Sequence, residues 1–187
     1  MSGIIDATAA QSYSSIAIVL IGAIASGTDV WRGRIYNWLT FPAMLSGLVF
    51  SFWQSGFRGL GLSLVAVALG FLLYGWMFFF KAMGAGDVKL LMAFGAWGGI
   101  RFTGEVALLG VLVGGAMALV FLAFQGQIVE FFHKMHRFLL SVFIKELEFD
   151  LPKINRKLTM PFGVPISIAA VWTWFVHPLQ RWGVPLW

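Results

Sequence analysis

Six long apolar runs constrain this 187-residue chain more than any other feature. The runs cover residues 14–28, 39–53, 60–80, 88–98, 106–124 and 162–176. A transmembrane helix needs about 20 mostly apolar residues, and only 11% of the residues are charged, whereas a typical soluble domain has about 25%. The sequence therefore predicts an all-α fold, a polytopic membrane helix bundle of about six transmembrane helices, as a single membrane-embedded domain over residues 1–187.

The positive charges predict the orientation of the bundle. Cytoplasmic loops of membrane proteins carry an excess of Lys and Arg. With six alternating spans, ten of the thirteen Lys and Arg residues fall on one side. We expect that side to be cytoplasmic and both termini to lie outside the cytoplasm. Because the basic residues are scattered among apolar runs, they indicate topology and membrane lipid rather than nucleic acid as a partner.

An amphipathic stretch separates the fifth and sixth runs. Polar residues recur there at helical spacing from Glu130 to Glu148, and apolar residues fill the opposite side. This pattern predicts a helix over about residues 128–149 that lies along the cytoplasmic interface. His133 and His136 have a spacing that could bind a metal, but the chain has no cysteine and no further His nearby. We therefore expect no metal site and no cofactor.

Two of the eight acidic residues have unusual positions. Asp29 closes the first apolar run and Asp87 opens the fourth, so the predicted topology places both at the cytoplasmic end of the bundle. The other six lie in the N-terminal tail, at an external helix end, or in the amphipathic stretch. An ionisable group at membrane depth is costly, which makes it a candidate functional residue.

Structural explanations for the two aspartates remain open at this point. Asp87 is well placed to cap the N-terminus of the fourth helix. Capping does not account for Asp29, which follows a helix and would oppose the negative end of its dipole. Ion pairs are the second structural explanation, with cations nearby in sequence at Arg32, Arg34, Lys81 and Lys89.

The functional explanation is a pair of carboxyl groups that share one site. One stays protonated and donates to a carbonyl oxygen, while the other, ionised, takes a proton from the attacking water. This chemistry needs neither a metal nor a covalent intermediate, which fits a chain without cysteine. A small ion- or proton-coupled membrane transporter, with the Asp pair as a relay, is an alternative. A non-enzymatic membrane subunit is a third.

Three sequence patches resemble one family. Gly84-Ala85-Gly86-Asp87 fits the GxGD motif of membrane aspartic proteases, and its continuation to Leu90 is similar to the type IV prepilin peptidases. Asp29 is followed by Ile35-Tyr36-Asn37, where that family has an Ile-Pro-Asn segment. Residues 160–165 read Met-Pro-Phe-Gly-Val-Pro and resemble the segment that opens the family's last span.

The resemblance implies an aspartic endopeptidase of the bacterial inner membrane that cleaves the leader peptide of prepilins or pseudopilins at the cytoplasmic face. It implies that Asp29 and Asp87 are catalytic. It also implies substrate-binding or supporting roles for Gly84, Gly86, Lys89 and Asn37. This sequence lacks the tetracysteine and methyltransferase region of the longer members, so the resemblance is to the short, peptidase-only form, and we expect no N-methylation.

Overall fold

The computed structural model describes residues 2–80, 83–124, 126, 128, 133 and 161–176, with side chains from residue 9 onward. Four helices contain almost all of these residues: α1 (Ser2–Arg32), α2 (Asn37–Phe79), α3 (Ala85–Phe124) and α4 (Gly163–Val176). No strand occurs in these ranges, which confirms the all-α prediction for them. The predicted interfacial helix over 128–149, with His136, lies outside the described residues apart from Ile128 and His133.

The chain divides into two compact units, residues 1–114 with 161–187, and residues 115–160. The first unit contains α1, α2, most of α3, and α4. The described part of the second unit is the last ten residues of α3, together with residues 126, 128 and 133. The candidate site described below lies entirely in the first unit.

Three helical segments are long and apolar enough to cross a membrane: Ala9–Arg32, Asn37–Phe79 and Ala85–Phe124. The apolar helix α4 is shorter, with 14 residues. The prediction of about six spans is not confirmed by this count, because the predicted second and third spans both lie in α2 and the fourth and fifth both lie in α3.

Both long helices contain a break. In α2, Ser55 (φ −138°, ψ 18°) and Gly56 (φ 59°, ψ −146°) are non-helical. The Ser51 and Ser63 hydroxyls on either side of this break donate to the same acceptor, the Ala96 carbonyl oxygen, at 3.3 and 2.8 Å. These two serines would be about 18 Å apart along an unbroken helix. The chain therefore reverses direction at Gly56.

The break in α3 lies at Gly99, whose φ is 80°. A Cβ atom placed on Gly95 would lie 2.7 Å from the Thr103 hydroxyl oxygen, although eight residues span about 12 Å of unbroken helix. The two parts of α3 therefore also fold back on each other. Both breaks have a glycine at positive φ, a backbone conformation that other residues adopt at a cost.

Apolar side chains from all four helices form the core of the first unit, including Ile18, Tyr74, Leu90, Phe94, Val106 and Ile166. Polar anchors join the helices: the Trp174 indole donates to the Ser15 hydroxyl at 2.6 Å, and the Tyr74 hydroxyl donates to the Ala107 carbonyl at 3.0 Å. Many large apolar side chains face outward, among them Val49 and Leu72, each 67% exposed. Such a surface is favourable against lipid and unfavourable in water.

We expect Gly56→Ala and Gly99→Ala each to destabilise the protein by about 1–3 kcal/mol, because positive φ combined with an extended ψ is a conformation that essentially only glycine adopts. Thermal unfolding of the purified protein in detergent measures this. Gly61→Ala and Gly104→Ala are matched controls, since a Cβ atom meets nothing within 4 Å at any of the four positions and the two control glycines are helical. Equal stability of all four variants would contradict the reversals at Gly56 and Gly99.

Candidate active site

Asp29 lies in the last turn of α1, and its side chain is only 6% exposed. Its Oδ2 atom accepts a 2.7 Å hydrogen bond from the backbone N–H of Gly163, the first residue of α4. The positive end of a helix dipole favours a carboxylate at this position. The sequence argument that capping does not account for Asp29 is therefore wrong: Asp29 caps a different helix, which begins 134 residues later.

Asp87 is the third residue of α3 and is 7% exposed. Its Oδ2 atom accepts the backbone N–H of Gly84, the residue before the helix, at 3.1 Å. The sequence predicted Asp87 at the N-cap itself. The structure places it further into the first turn, from where it reaches back to the N-cap residue as the acid of a capping box does.

The fold brings the two aspartates together from α1 and α3, close enough for their carboxyl groups to interact electrostatically. Asp87 also lies close enough to the Tyr74 hydroxyl group for an electrostatic interaction. Neither aspartate forms an ion pair with any residue in the described ranges: the nearby cations bind elsewhere, Arg32 to the Tyr36 hydroxyl at 3.1 Å and Lys89 to Asn37. Ion pairing with these cations therefore does not account for the two buried acids.

Ile35 lies between the backbone segments that hold the two aspartates. A Cβ atom on Gly86 would lie 3.0 Å from the Ile35 Cβ, and one on Gly163 would lie 2.9 Å from its Cδ1. The one on Gly163 would also lie 2.8 Å from the Asp29 Oδ2 atom. At Gly84, an added Cβ would lie 3.1 Å from the Asp87 Oδ2 atom. The three glycines thus let backbone approach closely at both carboxyl groups.

Lys89 and Asn37, both expected to support the site, pair with each other. The Lys89 ammonium donates to the Asn37 Oδ1 atom at 2.8 Å and lies 5.2 Å from the centre of the Phe41 ring. This pair joins the start of α2 to the first turns of α3. Neither side chain makes a hydrogen bond to an aspartate within the described part of the chain.

Ile35 and Gly163 are site residues that the sequence reasoning did not select. Gly163 stands in the Pro161-Phe162-Gly163 segment, whose resemblance to a family motif was the available signal. Ile35 opens the Ile35-Tyr36-Asn37 segment, whose resemblance to a family motif was likewise the available signal. Its contribution to the site is its shape. No group of three or more His, Cys, Asp or Glu side chains that could hold a metal occurs among the residues searched, which are the described ones.

Comparisons with known proteins identify the family. A family model described as the type IV leader peptidase family matches residues 16–144. A relative named prepilin leader peptidase/N-methyltransferase, from Burkholderia pseudomallei, is 32% identical over 102 residues, which is 51% of this chain and 33% of that protein. A protein of the same name from Xanthomonas campestris pv. campestris is 30% identical over 124 residues, 63% of this chain and 43% of that protein.

These matches cover less than half the length of either relative. No solved structure matches the chain. The family model, in contrast, covers more than half of the chain and includes Asp29 and Asp87 with the glycines beside Asp87. The chain therefore belongs to the type IV leader peptidase family.

Proposed function

We propose that this chain is a membrane aspartic endopeptidase that cleaves the leader peptide of type IV prepilins or pseudopilins at the cytoplasmic face of the bacterial inner membrane. One observation carries the proposal: Asp29 and Asp87 lie on separate helices, both are buried, and Ile35 packs against the backbone beside each of them, at Gly163 and Gly86. Membership of the type IV leader peptidase family supports a prepilin leader as substrate.

In the proposed mechanism the pair carries one proton. The ionised carboxyl group takes a proton from a water molecule, which attacks the carbonyl carbon of the scissile peptide bond, while the protonated carboxyl group donates to the carbonyl oxygen. Hydrogen bonds within the described residues use the Oδ2 atom of each carboxyl group, bound to the Gly163 and Gly84 N–H groups. The Oδ1 atoms remain for water and substrate.

We further propose that the two parts of α2 and of α3 each cross the bilayer, which with α1 and α4 gives six crossings. The reversals at Gly56 and Gly99 support this topology. It places both aspartates at the end of the bundle that holds ten of the thirteen Lys and Arg residues, which is the cytoplasmic end by the positive-inside rule.

The helical segment that begins beside Asp87 is short. Residues 85–98, up to the break at Gly99, contain 14 residues, or about 21 Å of helix, against about 30 Å for the hydrocarbon core of a bilayer. A short span thins the bilayer locally. Because Asp87 lies at the N-terminus of this segment, the thinning would bring the polar interface, and with it water, to the carboxyl pair.

The transporter alternative remains a hypothesis without support from the described residues. A relay through the membrane calls for acids spread across its depth and for helices broken near the midplane. Asp29 and Asp87 instead meet at one site, and the breaks in α2 and α3 are reversals of the chain.

Asp29→Asn and Asp87→Asn should each abolish conversion of a prepilin to its shorter mature form, because an amide can neither take nor share the proton. The assay is prepilin processing by purified protein, followed by mass spectrometry. Glu105→Gln is the matched control: it replaces a third buried carboxyl group by an amide, in the second part of α3, and should retain processing. Normal processing by either Asn variant would show that the pair is not catalytic.

Gly163→Ala should lower kcat by about tenfold to a hundredfold, because the added Cβ collides with the Asp29 carboxyl group and Ile35 and displacements near 1 Å have effects of this size. KM should change little. Gly27→Ala, two residues from Asp29 but with nothing within 4 Å of its added Cβ, should behave as the unmodified chain. An unchanged kcat for Gly163→Ala would show that the Gly163 contact does not position Asp29.

The topology can be tested with single cysteines, because the chain contains none. In intact cells, a maleimide that does not cross the inner membrane should label Gln54→Cys and Ile100→Cys, beside the two reversals, after the outer membrane is made permeable. Arg34→Cys, on the predicted cytoplasmic side, should be labelled only after lysis. Protection of Gln54→Cys and Ile100→Cys before lysis would rule out six crossings in this orientation.

A further inference from the structure

An apolar groove lies beside the aspartates but is separate from them. It runs between the two parts of α2 and the start of α3 and has a volume of about 290 Å³. Its walls are mostly aromatic rings and methionines, including Phe41, Met44, Phe71, Phe78 and Met92. Lys89 is the one charged residue among those that line it.

The positive charge of Lys89 is not balanced by a carboxylate within the described residues. Its ammonium group has two neutral partners there, the Asn37 amide oxygen and the face of the Phe41 ring. Both partners are good ligands for a cation, but neither carries a negative charge. An occupant of the groove that is apolar and ends in an anionic group complements these walls in both shape and charge.

The chemistry of the groove argues against an extended peptide as its occupant. An extended peptide has an N–H and a C=O at every residue, and each must find a hydrogen-bond partner. The lining offers few partners, essentially Lys89. A hydrocarbon chain has no such requirement.

Along α2 the groove changes from a charged end to an apolar one. Asn37, the first residue of α2, binds the lining residue Lys89. Met44, two turns further along α2, lies among apolar lining residues. A phospholipid has the same order, with its headgroup followed by its acyl chains.

We propose that this groove binds an anionic phospholipid. One acyl chain occupies the apolar part, and the headgroup phosphate binds the Lys89 ammonium group. Basic sites between transmembrane helices at the cytoplasmic side are suited to anionic headgroups. Because Ala85 and Val88 line the groove on either side of Asp87 in sequence, the bound lipid would form one wall next to the carboxyl pair.

Photolabelling tests this proposal without relying on peptidase activity. The full chain, purified in a neutral detergent, is irradiated with phosphatidylglycerol that carries a diazirine on its acyl chain, and labelled peptides are mapped by mass spectrometry. We expect labels in residues 41–44 and 71–78. Unlabelled phosphatidylglycerol should compete, and phosphatidylcholine should not.

Different variants test the positive charge of Lys89 and the open space of the groove. Lys89→Met should weaken phosphatidylglycerol binding about fivefold, as expected for one cation near a headgroup, and Lys89→Arg should retain it. Arg34→Met, which removes an exposed cation outside the groove, is the control. Gly75→Leu should fill the groove and abolish labelling, whereas Gly61→Leu should not. A Cβ at Gly75 makes only ordinary contacts, at 3.5 Å or more, with the Phe71 ring.

Four results would overturn the proposal. Equal competition by phosphatidylcholine, or unchanged binding by Lys89→Met, would show that binding does not depend on an anionic headgroup. Labels spread evenly over the outer faces of α2 and α3 would indicate bulk lipid rather than a site. Displacement of the label by a prepilin, but not by excess phosphatidylglycerol, would make the groove a substrate site.

Discussion

The hydrogen bond from the Gly163 backbone N–H to the Asp29 carboxyl group joins the end of α1 to the start of α4, and the site is organised around it. A buried carboxyl group is costly unless polar groups replace its water. The N-terminus of α4 replaces that water for Asp29, and the N-terminus of α3 does so for Asp87. Within the described residues, both acids are bound by backbone donors and by no cation.

Much of the fold could be predicted from the sequence, because a sufficiently long apolar run indicates a membrane-spanning helix without reference to the rest of the chain. The predicted second and third spans meet around the break at Ser55 and Gly56, and the fourth ends just before the break at Gly99. The helix ends were less predictable. The first apolar run covers residues 14–28, but α1 extends over Ser2–Arg32, because a helix continues through polar residues without any change in apolar pattern.

The candidate site was only partly predictable. Asp29 and Asp87 could be identified because acidic residues are scarce in this chain, and the glycines beside Asp87 form a recognisable motif. Asp29 and Gly163 are 134 residues apart in sequence, so no local sequence pattern indicates their contact. Tyr36, which replaces the proline of the similar motif, has a φ of −83°, near the value that proline fixes. The turn that carries Ile35 between the two acids therefore keeps a proline-like backbone without the proline.

A short helical segment connects this arrangement to the membrane. If residues 85–98 cross a bilayer thicker than their own length, the interface bends towards Asp87 at their N-terminus, and a reaction that consumes water can proceed there. The proposed mechanism requires that the carboxyl pair activates water and that neither carboxyl group itself attacks the leader. A single turnover with excess protein, in water enriched in heavy oxygen, tests it: the new C-terminal carboxyl group of every released leader should carry one heavy oxygen atom. Absence of cleavage, or a leader with only ordinary oxygen, would contradict the claim.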